Sequence, residues 1–385
     1  MMRSLFLTCC TGVVLLTTAC GTDADDPIVL GAVYNLSGPQ AALDQPSSRG
    51  AELAVMQANA AGGVLGQKVK LVIADPEGNL AEVAERAREL IKGHKSISAV
   101  FGLSDSDMVL AAAPVAADRQ LVFMTSGVTS PKLPAQTPDY LFLACFGDNV
   151  QAAAAAEYAY LELKARTVAI LYKATDTYTT LLQGYFRTRF EELGGKVTAV
   201  KSYQTTADQG EAIVGLAEAD LVFLSAQEPE EAAAGVTKLR QAGIDVPVFG
   251  GDGYDAEDEW SKHPTIKNVY FTTHAYLAPD NPDLMVMAFN DAYRRAYDGR
   301  APDSFAALGY DTVGVLLAAI KAGGSAKPAK VLAALGQLQG YRGVTGTISY
   351  EGGSRIPKKS VTILEVRDER PTFVRQMIPE KTPPP

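Results

Sequence analysis

The sequence predicts an α/β protein built of two doubly wound, Rossmann-like lobes joined by a hinge. Short apolar runs alternate with helical patterns of about 10–15 residues, which calls for parallel strands linked by crossover helices. The alternation runs twice, and a proline-rich break, PKLPAQTP at 131–138, interrupts the rhythm near the end of the first series. After the second series come helices with too few strands for a third domain. Returning those helices to the first lobe takes more than one crossing between lobes, and such crossings make a hinge.

In the first series, 28–34 is an apolar strand ending in the turn Asn35-Leu36-Ser37-Gly38-Pro39. Residues 50–61 carry Leu53, Met56 and Ala60 at helical spacing and stop at Gly62-Gly63. A strand over 69–74 and a helix over 80–91 follow, the helix placing Val83, Ala87, Leu90 and Ile91 on one face. The stretch 98–131 then reads strand, polar turn, helix, strand, polar turn, and a strand over 141–146 ends the series. In the second series, helices over 151–163, 181–193, 211–218 and 230–241 alternate with strands over 168–172, 197–203, 221–224, 246–249 and 269–273. Helices over 283–297, 305–322 and 329–338 come next. A hairpin, 361–366 against 373–376, turns at Asp368-Glu369-Arg370-Pro371.

The stretch 98–131 organises the rest. Its two polar turns, Ser104-Asp105-Ser106-Asp107 and Thr125-Ser126-Gly127-Val128-Thr129, leave the carboxyl ends of neighbouring parallel strands, the edge where open α/β sheets bind ligands. The first turn also opens a helix, whose free N–H groups and hydroxyls make a seat for an anion such as a carboxylate. The plainer alternative makes Ser106 or Asp107 an N-cap and nothing more.

Composition narrows the function. Hydrophobic content of 47% and charge of 21% describe a globular protein, and a net charge of −9 without any basic run argues against nucleic-acid binding. No G-x-S-x-G elbow, Walker loop or helix-opening G-x-G-x-x-G occurs, and His94, His263 and His274 share no metal-ligand spacing. No enzyme activity or cofactor is expected. The run Asp255-Ala256-Glu257-Asp258-Glu259 reads as a solvated acidic face. The first 19 residues have one positive charge and an apolar core, and end at Thr17-Thr18-Ala19 before Cys20, a signal peptide with a lipoprotein-like cleavage site. Lipid on Cys20 would tether an exported domain through the leader 20–27. That leaves Cys145 as a lone, buried thiol in the apolar run YLFLACF, and the end 379–385 as a disordered tail.

The ordered segments VYNLSGP, RGAELAVMQANAAGGVLGQKVKLVIADPEGN, VFGLSDSD, VFMTSGVTSP, GGDGY and YRGVTGTISYEGG resemble the bacterial periplasmic amino-acid-binding proteins, nearest the leucine/isoleucine/valine-binding type, over 28–374. The resemblance implies a type I periplasmic binding fold, with lobe 1 at 28–146 plus 276–350 and lobe 2 at 147–275 plus 351–378, joined by three crossings. It also implies a ligand site. Ser106 matches the serine that takes the ligand's α-carboxylate, Thr129 a threonine on the same head group, and Gly127 a backbone carbonyl for the ammonium. Asp252 matches the acidic partner of that ammonium, Tyr178 a covering tyrosine and Phe305 a pocket aromatic.

Departures from the family fall on the side-chain pocket. Leu43 and Gln227 stand where the branched-chain binder has tyrosines, and Ser104 replaces a leucine. Gly78 and Asp105 occupy the places of the family's bridge. Each residue also has an ordinary reading: Thr129 as a turn hydroxyl, Asp252 as a turn aspartate, Tyr178 as a core aromatic and Gln227 as a rim residue.

The function expected is a monomeric, lipid-anchored receptor that captures an aliphatic or small polar amino acid and delivers it to an ABC permease. The alternative is a sensor subunit that binds a carboxylate or amide for a signalling partner.

Overall fold

The computed structural model describes residues 26–137, 139–256 and 259–385. The predicted signal, Cys20 and most of the leader lie outside the described residues.

The first lobe holds β1 (Ile28–Val33), α1 (Ala41–Ala60), β2 (Val69–Ala74), α2 (Leu80–Gly93), β3 (Ile97–Gly102), α3 (Ser106–Ala117), β4 (Phe123–Thr125), α4 (Leu133–Gln136) and β5 (Leu141–Leu143). Its sheet is parallel throughout, in the order β2-β1-β3-β4-β5. The second lobe continues with α5 (Asp148–Leu161), β6 (Thr167–Lys173), α6 (Thr177–Glu192), β7 (Lys196–Tyr203), α7 (Gln209–Ala212), β8 (Leu221–Ser225), α8 (Pro229–Gln241), β9 (Val248–Gly250) and β10 (Val269–Thr273). The chain then returns to the first lobe as α9 (Leu284–Ala296), α10 (Ser304–Gly323), α11 (Pro328–Leu335) and the small hairpin β11 (Tyr341–Gly343)–β12 (Gly346–Ile348). It crosses back as β13 (Val361–Arg367) and β14 (Arg370–Met377), which extend the second sheet to β14-β13-β10-β9-β8-β6-β7.

The five parallel strands of lobe 2, β7-β6-β8-β9-β10, repeat the winding of lobe 1, with the first strand of each series beside the second and third. The order therefore reverses between β1 and β3 in one lobe and between β6 and β8 in the other. Ligands of doubly wound sheets bind at such switch points. The fold class follows the alternation of runs, with one addition: the last hairpin is antiparallel to β10 and makes the second sheet mixed.

The lobe 1 core is completed by the late helices. Val313, Leu316 and Ile320 of α10 pack with Leu30, Ala54 and Phe101. α10 crosses α1 at two glycines, because a Cβ on Gly50 would stand 1.8 Å from the Ala306 carbonyl oxygen and one on Gly309 1.9 Å from that of Ser47.

The structure corrects four expectations. α1 begins at Ala41, not at 50, because Asp44, Ser47 and Ser48 are polar residues buried on its inner face and hide the amphipathic pattern. The helix expected over 211–218 is a single turn, α7. Asp255 and Glu259 are buried, not a solvated face: Asp255 accepts from the Thr273 hydroxyl and Glu259 pairs with Lys262 at 2.7 Å. Residues 379–385 are docked on lobe 2, where Glu157 accepts the Glu380 amide at 3.0 Å and Asn149 Nδ2 donates to the Pro383 carbonyl at 2.9 Å.

Candidate ligand-binding cleft

The lobes face each other across their switch points, and three connections join them, after β5, after β10 and after β12. A buried lysine in the third connection ties it to the first. Lys359 Nζ donates to the Ala144 carbonyl at 3.2 Å and the Thr345 hydroxyl at 2.5 Å, while burial lowers its pKa and the nearby Asp311 carboxylate opposes that. Tyr350 adds a bond to the Leu143 carbonyl at 2.7 Å.

All nine ligand-site residues expected from the sequence line one cavity between the lobes: Leu43, Ser104, Ser106, Gly127, Thr129, Tyr178, Gln227, Asp252 and Phe305, with Val128 and Gly253. Eight of them arrive from matching places in the two lobes, and Phe305 comes from α10. The connection after β1 supplies Leu43 and that after β6 supplies Tyr178. Ser104 and Ser106 follow β3 as Gln227 follows β8, and Gly127 and Thr129 follow β4 as Asp252 follows β9.

The first-lobe wall is a helix start with its side chain to spare. The N-cap of α3 is Asp105, whose carboxylate accepts the Met108 amide at 2.8 Å, so Ser106 is the first helical residue and neither it nor Asp107 is the cap. The Ser106 hydroxyl makes no hydrogen bond to the described residues and is aimed by α3 rather than spent on it. Thr129 does not bond its own turn; its hydroxyl lies 3.4 Å from Gln151 Nε2. Gly127 is needed for space: a Cβ there would meet Ser104 Oγ at 2.5 Å and the Phe305 ring at 3.0 Å. Phe305 itself packs with Leu43, Cys145 and Leu308, and the Cys145 thiol bonds the Val128 carbonyl at 3.0 Å.

The second-lobe wall is a carboxylate held by three donors. Asp252 Oδ1 accepts from Tyr178 Oη at 2.8 Å and Gln151 Nε2 at 2.7 Å, and Oδ2 lies 2.9 Å from His274 Nε2. A carboxylate has about four lone-pair sites, so roughly one remains for a ligand's N–H. Burial lowers the His274 pKa against the opposing pull of Asp252, which favours a neutral imidazole donating from Nε2. Beside this carboxylate, burial first and the Asp252 charge second push Asp148 up to about 8, so that this neighbour is largely protonated at neutral pH and adds little negative charge.

Direct bonds close the mouth. Thr177 Oγ1 donates to Asp107 at 2.7 Å, Gln40 Nε2 donates to Glu228 at 3.2 Å, and the Gln227 amide donates to Asp105. A larger groove of about 910 Å³ lies beside the hinge between 342–351, 358–360 and β14. Only His274 of the cleft residues borders it.

Sequence reasoning missed Gln151 and His274. Gln151 stands in the alanine-rich α5, and His274 has no metal-type partner in sequence. Their only signal is position, just beyond the crossings at which β5 and β10 end.

Two matched lobes joined by three connections, with polar groups divided between facing sheet edges, are the architecture of a solute-binding protein. The chain belongs to the periplasmic binding protein family, whose model matches residues 27–371. It is 25% identical over 351 residues to Leu/Ile/Val-binding protein homolog 1 of Brucella suis, covering 88% of this chain and 91% of that one. Among solved structures it is similar to the branched-chain amino acid transporter substrate-binding protein LivJ of Streptococcus pneumoniae in complex with isoleucine (TM-score 0.83, 26% identity, 92% of this chain and 100% of the other). It is also similar to the leucine-binding protein LivK of Thermotoga maritima (TM-score 0.82, 27% identity, 92% and 99%). These relatives are solute-binding proteins, and this chain is a binding protein, not an enzyme.

Proposed function

We propose that this protein captures an α-amino acid between its lobes and delivers it to an ABC permease from the outer side of the cell membrane, held there by lipid on Cys20. The observation that carries the reading is the division of charge across the cleft. Lobe 1 offers hydroxyls and the N-terminus of α3, which suit a carboxylate, and lobe 2 offers a pre-paired carboxylate, Asp252, which suits an ammonium. A zwitterion with both groups on one carbon satisfies both walls only when the lobes are closed, and that differential bonding drives closure. Burying either charge without its partner would cost several kcal/mol, so the two walls select the zwitterion over a simple acid or amine.

The test is a thermal-shift screen of the twenty amino acids alongside their des-amino acids, since a ligand of the folded state raises its melting point. Amino acids should stabilise and the des-amino acids should not; stabilisation by des-amino acids alone rejects the reading. Cys20→Ala should move the protein from membranes to the soluble envelope fraction, and unchanged membrane association rejects the tether.

A further inference from the structure

Resting on the closure of the lobes but on no particular ligand, we infer that the carboxylates at the mouth of the cleft hold the empty receptor open, and that neutralising them lets the lobes close. Three helix starts meet at the mouth. Asp105 caps α3 of lobe 1 and Asp176 caps α6 of lobe 2, each accepting an amide of its own helix at 2.8 Å. Glu228 stands at the N-cap of α8 without a cap bond from its side chain. The lobes interleave these groups. Thr177, next to Asp176, donates to Asp107, and Gln227, next to Glu228, donates to Asp105. Closure therefore sets Asp105 and Asp107 of one lobe against Asp176 and Glu228 of the other.

The donors that cross the mouth to these carboxylates are neutral: the Thr177 hydroxyl and the side-chain amides of Gln227 and Gln40. The cation beside them, Lys173, belongs to lobe 2 and lies 3.5 Å from Glu231 of the same lobe. Like charges gathered as water leaves oppose closing. Burial, with the charges of Asp105 and Asp107 adding to it and Lys173 opposing, pushes Asp176 up to about 6. Glu228 is pushed up to about 7 by burial, with Lys173 opposing and Glu231, Glu230 and Asp105 adding to it. Facing water in an open cleft, the two return toward their ordinary 3.8 and 4.5. The closed form thus binds more protons, and a fall in pH favours it. Protonation leaves the crossing bonds in place, because a carboxyl group still accepts from a hydroxyl or an amide. Asp44, Asp148, Asp255 and His274 also titrate near the cleft, and a charge-neutralising substitution at the mouth separates their part from this one.

Nitroxide labels at Leu36 and Val214, exposed positions on the two lobes, report the ratio of closed to open molecules by electron–electron double resonance. In the ligand-free native protein the ratio should rise about tenfold between pH 8 and pH 6. Glu228→Gln, which keeps an acceptor for Gln40, should raise the ratio at pH 8 at least tenfold and lose most of the pH response. Asp176→Asn keeps an acceptor at the α6 cap and should act in the same direction with a smaller effect. A ratio indifferent to pH, or one that both variants leave at its native values, overturns the inference. An equimolar mixture of the twenty amino acids at pH 8 tests the amino-acid reading in the same samples. No rise with the mixture, beside the expected pH response, rejects that reading and leaves this inference standing. Labels that keep one distance under every condition overturn both.

Discussion

His274 Nε2 and Asp252 Oδ2 stand 2.9 Å apart with both side chains buried, so a residue from the end of β10 fixes the carboxylate that β9 delivers to the cleft. Tyr178 and Gln151 complete the clamp. Replacing Asp252 with Asn keeps the shape and removes the charge. Its affinity for the best amino acid should fall by ~2–5 kcal/mol, the range for breaking a buried charge pair. Ser106→Ala should cost only about 1–2 kcal/mol, because α3 amides still face the carboxylate. Titration calorimetry on both variants checks the order. Asp252→Asn binding as well as the native protein while Ser106→Ala fails would show a ligand without an ammonium.

The contact from Thr177 to Asp107 spans the mouth at 2.7 Å and exists only with the lobes together. Thr177→Val removes the donor at nearly constant size. Ligand affinity should weaken by about 1 kcal/mol, the usual net value of one hydrogen bond. Small-angle scattering should show a larger mean radius of gyration at subsaturating ligand. An unaltered scattering curve and affinity together would deny the contact any part in closure.

Helices α1 and α10 touch backbone to backbone at Gly50 and Gly309. Gly50→Ala puts a methyl carbon where the Ala306 carbonyl oxygen already is, so the helices must separate or bend. Overpacking of this kind costs typically ~1–3 kcal/mol. The melting temperature should drop by several degrees, whereas Gly62→Ala, with open space around its Cβ, can lose stability only through its positive φ of 101°. Differential scanning calorimetry of the pair distinguishes steric from conformational strain.

Asp148 makes stability fall as pH rises. Its folded pKa of about 8 lies above the ordinary carboxylate value of 3.8, so its contribution is complete below the lower value and is lost as pH rises through the upper one. Asp44 and Glu228, each raised to about 7 by burial, slope the same way. His274, lowered by burial, slopes oppositely, but only below its ordinary value of 6.5. Between pH 6.5 and 8 the melting temperature should therefore decline, and Asp148→Asn should flatten the decline. A native profile that rises over this window contradicts the assignment.

The fold was largely legible because alternating strand and helix patterns report directly on parallel sheets, and Ser104, Gly127, Thr129, Gln227 and Asp252 lie in the segments just after strands. That Asp105 caps α3 and Ser106 is its first helical residue is a distinction of one residue in SDSD that propensity does not draw. The start of α1 was hidden by its buried polar face, where Asp44 accepts both the amide and the side-chain nitrogen of Asn35. Gln151 and His274 were invisible for a different reason. Their partner, Asp252, is 101 residues from Gln151 and 22 from His274, and the contacts depend on the hinge connections rather than on any local pattern.

The return of the chain to lobe 1 also constrains how the molecule can be made. The Gly50–Gly309 crossing joins a helix near the start to one that follows the whole parallel series of lobe 2, so the face of the lobe 1 sheet that α1 and α10 cover cannot be buried until most of the protein has been synthesised. Lobe 2 cannot finish first either, since β13 and β14 lie beyond α10. Contacts of such long sequence separation carry a large loop-closure cost and slow folding. The two lobes are therefore interlocked in the chain, and neither is complete as an independent folding unit.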